Sequence, residues 1–288
     1  MTRSLMILGT SSGAGKSVIS IGLCRLFRQN GLAVAPFKSQ NMSSNGYCLE
    51  DGREMAKAQV LAAWACGIEP HPDMNPILLK PVDGVTDVIV QGKNVGRMDR
   101  HEYQVFKRQK AWPEIMASYR RLVERYEVLV LEGAGSPVEL NMKADDVANI
   151  NMAQQADAPV LLVVDIERGG AFALVKGTLA LLSDGERSLV KGLIVNKCRG
   201  RMELFEEVKQ AMEEMAGLPV VGMVPYLDID IEDEDNLFDF RKGPKAERTD
   251  LPEEQRMEWL NTQFDLLAES LAKHLDMEQI RRIVERGI

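Results

Sequence analysis

The residues Gly9-Thr10-Ser11-Ser12-Gly13-Ala14-Gly15-Lys16-Ser17 have the types and order needed to cradle a chain of phosphates. Glycines let the backbone turn tightly, so successive N–H groups can converge on one anion. A helix starting at Lys16 adds the positive end of its dipole to that field. The Lys16 ammonium is then placed to reach β- and γ-phosphates, and the Ser17 hydroxyl to bind Mg2+. This pattern predicts that the segment holds Mg-ATP. Five residues separate Gly9 from Gly15, where the common phosphate loop has four.

Other candidates sit where apolar runs end. Glu132 closes the run Val128-Leu129-Val130-Leu131 and precedes Gly133-Ala134-Gly135-Ser136-Pro137. A carboxylate there can hold Mg2+ directly or through water, and the glycines let a substrate approach the backbone. Lys38, in Pro36-Phe37-Lys38-Ser39-Gln40-Asn41-Met42, can meet a γ-phosphate or an anionic substrate, or simply be a solvated surface lysine. Asp51 is either a second magnesium ligand or a helix N-cap. Asp165 and Arg168, in Asp-Ile-Glu-Arg-Gly-Gly, also follow a strand-like run. Asn196-Lys197 resembles the dipeptide with which many phosphate-loop proteins read a nucleotide base, since an Asn side chain offers both donor and acceptor. His71, His101 and His274 lack partners at a catalytic spacing and receive no role.

Apolar runs at 4–8, 32–37, 128–131, 159–164, 193–195 and 220–224 read as strands covered on both faces, because they do not alternate. Helices are expected at 16–30, 53–66, 114–125 and 259–286, with Gly31 as the C-cap of the first. The last carries Leu260, Phe264, Leu267, Leu271 and Leu275 as a docking stripe. Strand–helix alternation of this kind predicts an α/β fold: a P-loop NTPase with a doubly wound, mostly parallel sheet flanked by helices. The motifs would then converge on the carboxyl edge of the sheet. Residues 1–227 are expected to form the ATPase unit, 228–256 an acidic then basic linker, and 257–288 a helical tail.

The chain has 288 residues, 45% hydrophobic and 27% charged, with a net charge of −8. An acidic balance argues against nucleic-acid binding, which needs a basic surface. Cys24, Cys48, Cys66 and Cys198 form no CxxC pair, as expected of reduced thiols in a cytoplasmic protein. Leu5-Met6-Ile7-Leu8 is too short for a signal peptide, and no stretch reaches the ~20 apolar residues of a membrane span. A homodimer is the default for a soluble oligomer.

Taken together, these strings resemble the cobyric acid synthase family. They are the phosphate loop, Pro-Phe-Lys-Ser-Gln-Asn-Met, Glu-Asp-Gly, Asn-Pro-Ile-Leu-Leu-Lys-Pro at 75–81, Glu-Gly-Ala-Gly-Ser-Pro at 132–137, Asp-Ile-Glu-Arg-Gly-Gly at 165–170 and Val-Asn-Lys-Cys-Arg-Gly at 195–200. They occur in order over about 1–240, and the long phosphate loop also resembles dethiobiotin synthetase. The resemblance implies ATP-dependent amidation of carboxylates on a corrinoid, adenosylcobyrinic acid a,c-diamide, through an acyl phosphate. It casts Lys16, Lys38 and Glu132 as catalytic, and Ser17, Glu132 and Asp51 as metal-holding. Gln40, Asn41, Lys80, Gly133, Ser136, Asp165 and Arg168 become candidate substrate contacts.

The family normally carries a glutaminase domain with a Cys nucleophile after this part. Here no Cys follows Cys198, while Leu-Ala-Lys-His-Leu-Asp-Met at 271–277 resembles the family's own end. Ammonia is therefore expected free or from a separate glutaminase subunit. Two other readings stay open: a carboxylate ligase of the dethiobiotin synthetase type acting on another acid, and a regulatory, non-catalytic ATPase. The septum-positioning ATPases use a Lys early in the loop, where this chain has Ser11.

Overall fold

The computed structural model describes residues 2–44, 46–201, 205–227 and 252–286. Strand β1 (Arg3–Gly9) runs through the phosphate loop into α1 (Lys16–Gln29) and then β2 (Val34–Phe37). Short strands β3 (Gln40–Met42), β4 (Gly46–Cys48) and β5 (Glu54–Ala56) precede α2 (Lys57–Cys66). A meander of β6 (Ile77–Val82), β7 (Val85–Val90) and β8 (Lys93–Met98) leads to α3 (Arg100–Phe106). A π-helical turn (Lys107–Ala111) joins α3 to α4 (Trp112–Val123). The chain continues through β9 (Val128–Glu132), α5 (Ile150–Gln155), β10 (Val160–Asp165), α6 (Ala171–Leu181) and α7 (Asp184–Arg187). It closes with β11 (Val190–Cys198), α8 (Glu206–Ala216), β12 (Val220–Pro225), α9 (Glu253–His274) and α10 (Met277–Arg286).

The central sheet has the order β12-β11-β10-β1-β9-β2, and every neighbouring pair is parallel. These are the six strands that the apolar runs predict. Alternate residues of β1 feed two cores: Met6 and Leu8 join one, Leu5 and Ile7 the other. A period of two explains this split, and it puts packed side chains on both faces of the sheet. The first core includes Ile115 and Tyr119 of α4, Val175 of α6 and Met212 of α8. The second includes Ile19 and Leu23 of α1, Leu61 of α2, Phe264 of α9 and Ile283 of α10.

Helix α9 lies against α1. Arg25 donates to Asp265 Oδ1 at 2.7 Å and to Asn261 Oδ1 at 3.0 Å. Leu260, Phe264, Leu267 and Leu271 are all buried. Close approach requires a glycine at position 22, where a Cβ would come within 2.2 Å of Leu271 Cδ1. The expected linker at 228–256 lies outside the described residues up to 251. From Glu253 the chain is already helical.

Three local expectations change. Residues 54–56, read as helix, pair as β5 with β4, and helix α2 begins only at Lys57. The Asn75 side chain accepts from Ala56 N at 3.1 Å there. The expected helix at 259–286 is two helices. They break where Leu275 turns extended and bridges Gly222, with Asp276 N donating to Val221 O. Finally, a four-stranded sheet, β3-β6-β7-β8, had no counterpart in the sequence reading.

Candidate functional site

The phosphate loop leaves β1 in the middle of the sheet, where β9 lies on one side and β10 on the other. Strand order reverses direction around β1, so its carboxyl end is the natural crevice. Gly13 (φ 72°) and Gly15 (φ 96°) take left-handed backbone. At Gly15 a side chain would also collide, because its Cβ would lie 2.1 Å from Asn196 Nδ2. Asn196 is buried at the end of β11, and its Nδ2 donates to Ala14 O at 2.9 Å. Lys197 Nζ donates to Gly13 O at 2.5 Å and pairs with Asp165 at 3.0 Å. Residues expected to read a base thus also hold the loop from behind.

Lys16 is 1% exposed, and its Nζ donates to the carbonyls of Ser11 and Gly135, each at 3.2 Å. That bridge ties the loop to the turn after β9. Below it, Ser17 Oγ and Lys38 Nζ both donate to Glu132 Oε1, each at 2.8 Å. Lys38 is buried, so the solvated-lysine alternative does not hold. A hydroxyl beside a carboxylate is a hard-oxygen donor set of the kind Mg2+ takes, with phosphate oxygens and water completing the shell. Asp51 stands in another network: its carboxylate accepts from Arg53 N at 3.0 Å and Nε at 2.7 Å in the β4–β5 turn. Among the described residues no group of three His, Cys, Asp or Glu gathers as a metal cluster.

A cavity of about 400 Å3 opens beside the loop. Ser12, Lys16, Lys38, Gln40, Asn41 and Ser136 line it. Gln40 is held by Tyr103, whose hydroxyl donates to Gln40 Oε1 at 2.6 Å. Burial pushes the Tyr103 phenol well above its ordinary value, so it stays a donor. Gly133 flanks the same turn, which Asn149 braces by accepting from Ala134 N (3.0 Å) and donating to Ala134 O (2.9 Å).

The remaining candidates divide. Arg168 lies 3.6 Å from Asp165, and its guanidinium faces Gly13 on the flank of the loop away from Lys38. Asp165 is buried and also accepts from Glu167 N. Lys80 is engaged by Glu54 at 2.6 Å between β6 and β5. Sequence reasoning missed Asn149, Tyr103 and Asn75, whose Nδ2 donates to Lys38 O at 3.0 Å. Asn149 had a readable signal. Asp146 accepts from the N–H groups of Ala148, Asn149 and Asn151, a capping pattern just before α5. Tyr103 had none, because its role depends on a partner 63 residues away.

The family model described as CobQ/CobB/MinD/ParA nucleotide binding domain matches residues 5–237. The chain belongs to this nucleotide-binding family. Within it, the chain is similar to cobyric acid synthases. It is 47% identical to that of Lachnoclostridium phytofermentans over 256 residues, which is 87% of this chain and 50% of the relative. It is 48% identical to that of Salmonella typhimurium over 238 residues, 82% of this chain and 47% of the relative. The chain therefore spans about half the length of the curated relatives it matches. Among solved structures, the signal recognition particle receptor FtsY from Elizabethkingia anophelis with GDP aligns at TM-score 0.47 and 17% identity, over 78% of this chain and 57% of that one. The MinD cell division protein of Aquifex aeolicus aligns at 0.44 and 14%, over 93% and 98%. Among the described residues no helix is long and apolar enough to cross a membrane.

Proposed function

We propose that this chain is the ATP-dependent amidating part of a cobyric acid synthase. In this reading it activates carboxylates of adenosylcobyrinic acid a,c-diamide for attack by ammonia that comes from outside the chain. The observation that carries it is the shared Glu132 oxygen, held by Ser17 and Lys38, next to a cavity that Lys38 and Lys16 line. A regulatory ATPase does not need a second compartment beside the phosphate loop. The identity to cobyric acid synthases over most of the chain supports the same choice.

A carboxylate is a poor acyl donor, so its oxygen attacks the γ-phosphorus of ATP and ADP leaves. Ammonia then adds to the acyl carbon, the acyl C–O bond breaks with its electron pair leaving on phosphate, and the nitrogen gives up a proton. Lys16 and Lys38 supply positive charge where it builds on the transferring group, and loop N–H groups hold the phosphates without reorganising. Ser17 and Glu132 would hold Mg2+, which when bound neutralises phosphate charge. Lys38 is kept in place by Glu132 and by the grip of Asn75 on its backbone. The 400 Å3 cavity takes one carboxylate arm, not a whole corrin, and Met42 and Met142 give its rim an exposed apolar surface for the ring.

The test is mass spectrometry after incubating the corrinoid diamide with the chain, Mg-ATP and either ammonium or glutamine. Amide products with ammonium alone are expected. ATP turnover with no amide from either nitrogen source would overturn the reading.

A further inference from the structure

Four lysines line the cavity, and one differs from the rest. Lys38 is paired with Glu132, Lys143 with Glu186, and Lys16 donates to two carbonyls. Lys107 forms no ion pair with any described carboxylate. Its ammonium stands 5.8 Å from the centre of the Tyr103 ring. Burial, with a smaller push from the charge of Arg108, pulls its pKa below the ordinary lysine value, against the pull of Asp145 and Asp146. Those two acids line the same cavity but have other partners. Asp145 is gripped by Arg108, and Asp146 accepts three backbone N–H groups ahead of α5.

The backbone that carries Lys107 is unusual as well. It opens the π-helical turn Lys107–Ala111, where the ladder between α3 and α4 widens by one residue. Such turns carry a cost in hydrogen-bond geometry and often mark functional positions. Here the turn sets Lys107 beside Tyr103, which is itself fixed to Gln40 of the cavity wall. A half-buried cation whose neighbouring carboxylates are engaged by other groups gains from an anion that arrives from outside.

We infer that Lys107 is the residue that recognises a carboxylate of the acid substrate in this cavity, separate from the lysines that serve the phosphates. The inference rests on the amidating reading above and deepens it. Lys16 and Lys38 act on the transferring phosphoryl group. Lys107 selects and orients the acid, with the Tyr103–Gln40 pair as its platform. Its loss therefore weakens acid binding and leaves nucleotide binding in place.

The experiment compares wild type, Lys107→Gln and Lys107→Arg in the 288-residue chain, with the corrinoid diamide, Mg-ATP and ammonium. KM for the acid, KM for ATP and kcat are measured separately, and thermal unfolding checks that each variant folds. A charge-assisted contact predicts that Lys107→Gln raises the KM for the acid about tenfold or more. The KM for ATP should stay within about twofold, and Lys107→Arg should recover most of the loss. An unchanged KM for the acid in a folded, active Lys107→Gln variant overturns the inference and leaves the amidating reading standing. An equal rise in both KM values overturns it too, by placing Lys107 at the nucleotide. A wild type that makes no amide overturns the amidating reading and this inference together.

Discussion

Ser17 Oγ donates a 2.8 Å hydrogen bond to Glu132 Oε1 across 115 residues of chain. Lys38 meets the same oxygen, so one carboxylate neutralises a buried cation and orients the hydroxyl that would face Mg2+. Glu132→Gln removes the negative charge and strands Lys38. Breaking a buried pair from one side costs about 3 kcal/mol or more. Urea unfolding should register that loss, and the magnesium concentration for half-maximal turnover should rise. Unchanged magnesium dependence would remove Glu132 from the metal site.

Lys16 belongs to the loop itself and bridges the carbonyls of Ser11 and Gly135. Lys16→Ala should lower turnover by about 10²–10³, the range seen when one donor to a developing charge is lost. Binding of a fluorescent ATP analogue and steady-state hydrolysis together check this. Full Mg-ATP turnover in the variant would refute the loop assignment.

Asn196→Ala should loosen the phosphate loop without touching its sequence. The Ala14 carbonyl loses its 2.9 Å donor in a buried setting, a cost of about 1–3 kcal/mol. Faster amide exchange across 12–17 and weaker nucleotide binding are the expected signs. Exchange identical to wild type would show that the loop does not depend on this brace.

Asp73 gives a pH-dependent test. Burial alone would push its carboxyl up, but the two-toothed contact with Arg121 and the charges of Arg121 and His71 hold it below the ordinary carboxylate value. A lowered folded value stabilises the protein above the unfolded pKa, near 3.9, and the benefit disappears as pH falls through the folded value. Because Arg121 is partly exposed, the pair is worth about 2 kcal/mol at most. Urea midpoints of wild type and Asp73→Asn should differ at pH 7 and converge below about pH 4.

Phe264→Ala probes the α9 contact. The ring is fully buried against the α1 face, so truncation should cost about 3–5 kcal/mol. Asp265→Asn, at the exposed end of the same contact, should cost about 1 kcal/mol or less. Chemical denaturation distinguishes the two.

The central sheet was legible because each of its strands is buried on both faces, and a continuous apolar run such as Val128-Leu129-Val130-Leu131 follows directly from that. The β6–β7 hairpin was not. Its turn, Asp83-Gly84, carries the signal of a two-residue loop, with both residues at positive φ. Pro81 and the half-exposed Lys80, Thr86 and Asp87 dilute the strand pattern on either side. Lys16, Ser17 and Glu132 could be read at the site because motif and strand end coincide. Tyr103 could not be placed, since its partner Gln40 lies 63 residues away, and Lys107 could not, since the helical turn that carries it gives no signal of the cavity it lines.

The phosphate loop is laced to the ends of strands far along the chain, through Asn196 at a separation of 182 residues and Lys197 at 184. Contacts of such span close long loops and form only after the intervening strands have docked. The nucleotide site is therefore a late product of folding, although its motif precedes those strands in the sequence. A chain emerging from the ribosome would carry the motif long before it could bind nucleotide. Once formed, the site can act as a ratchet: nucleotide that binds only the completed sheet draws the folding equilibrium toward it.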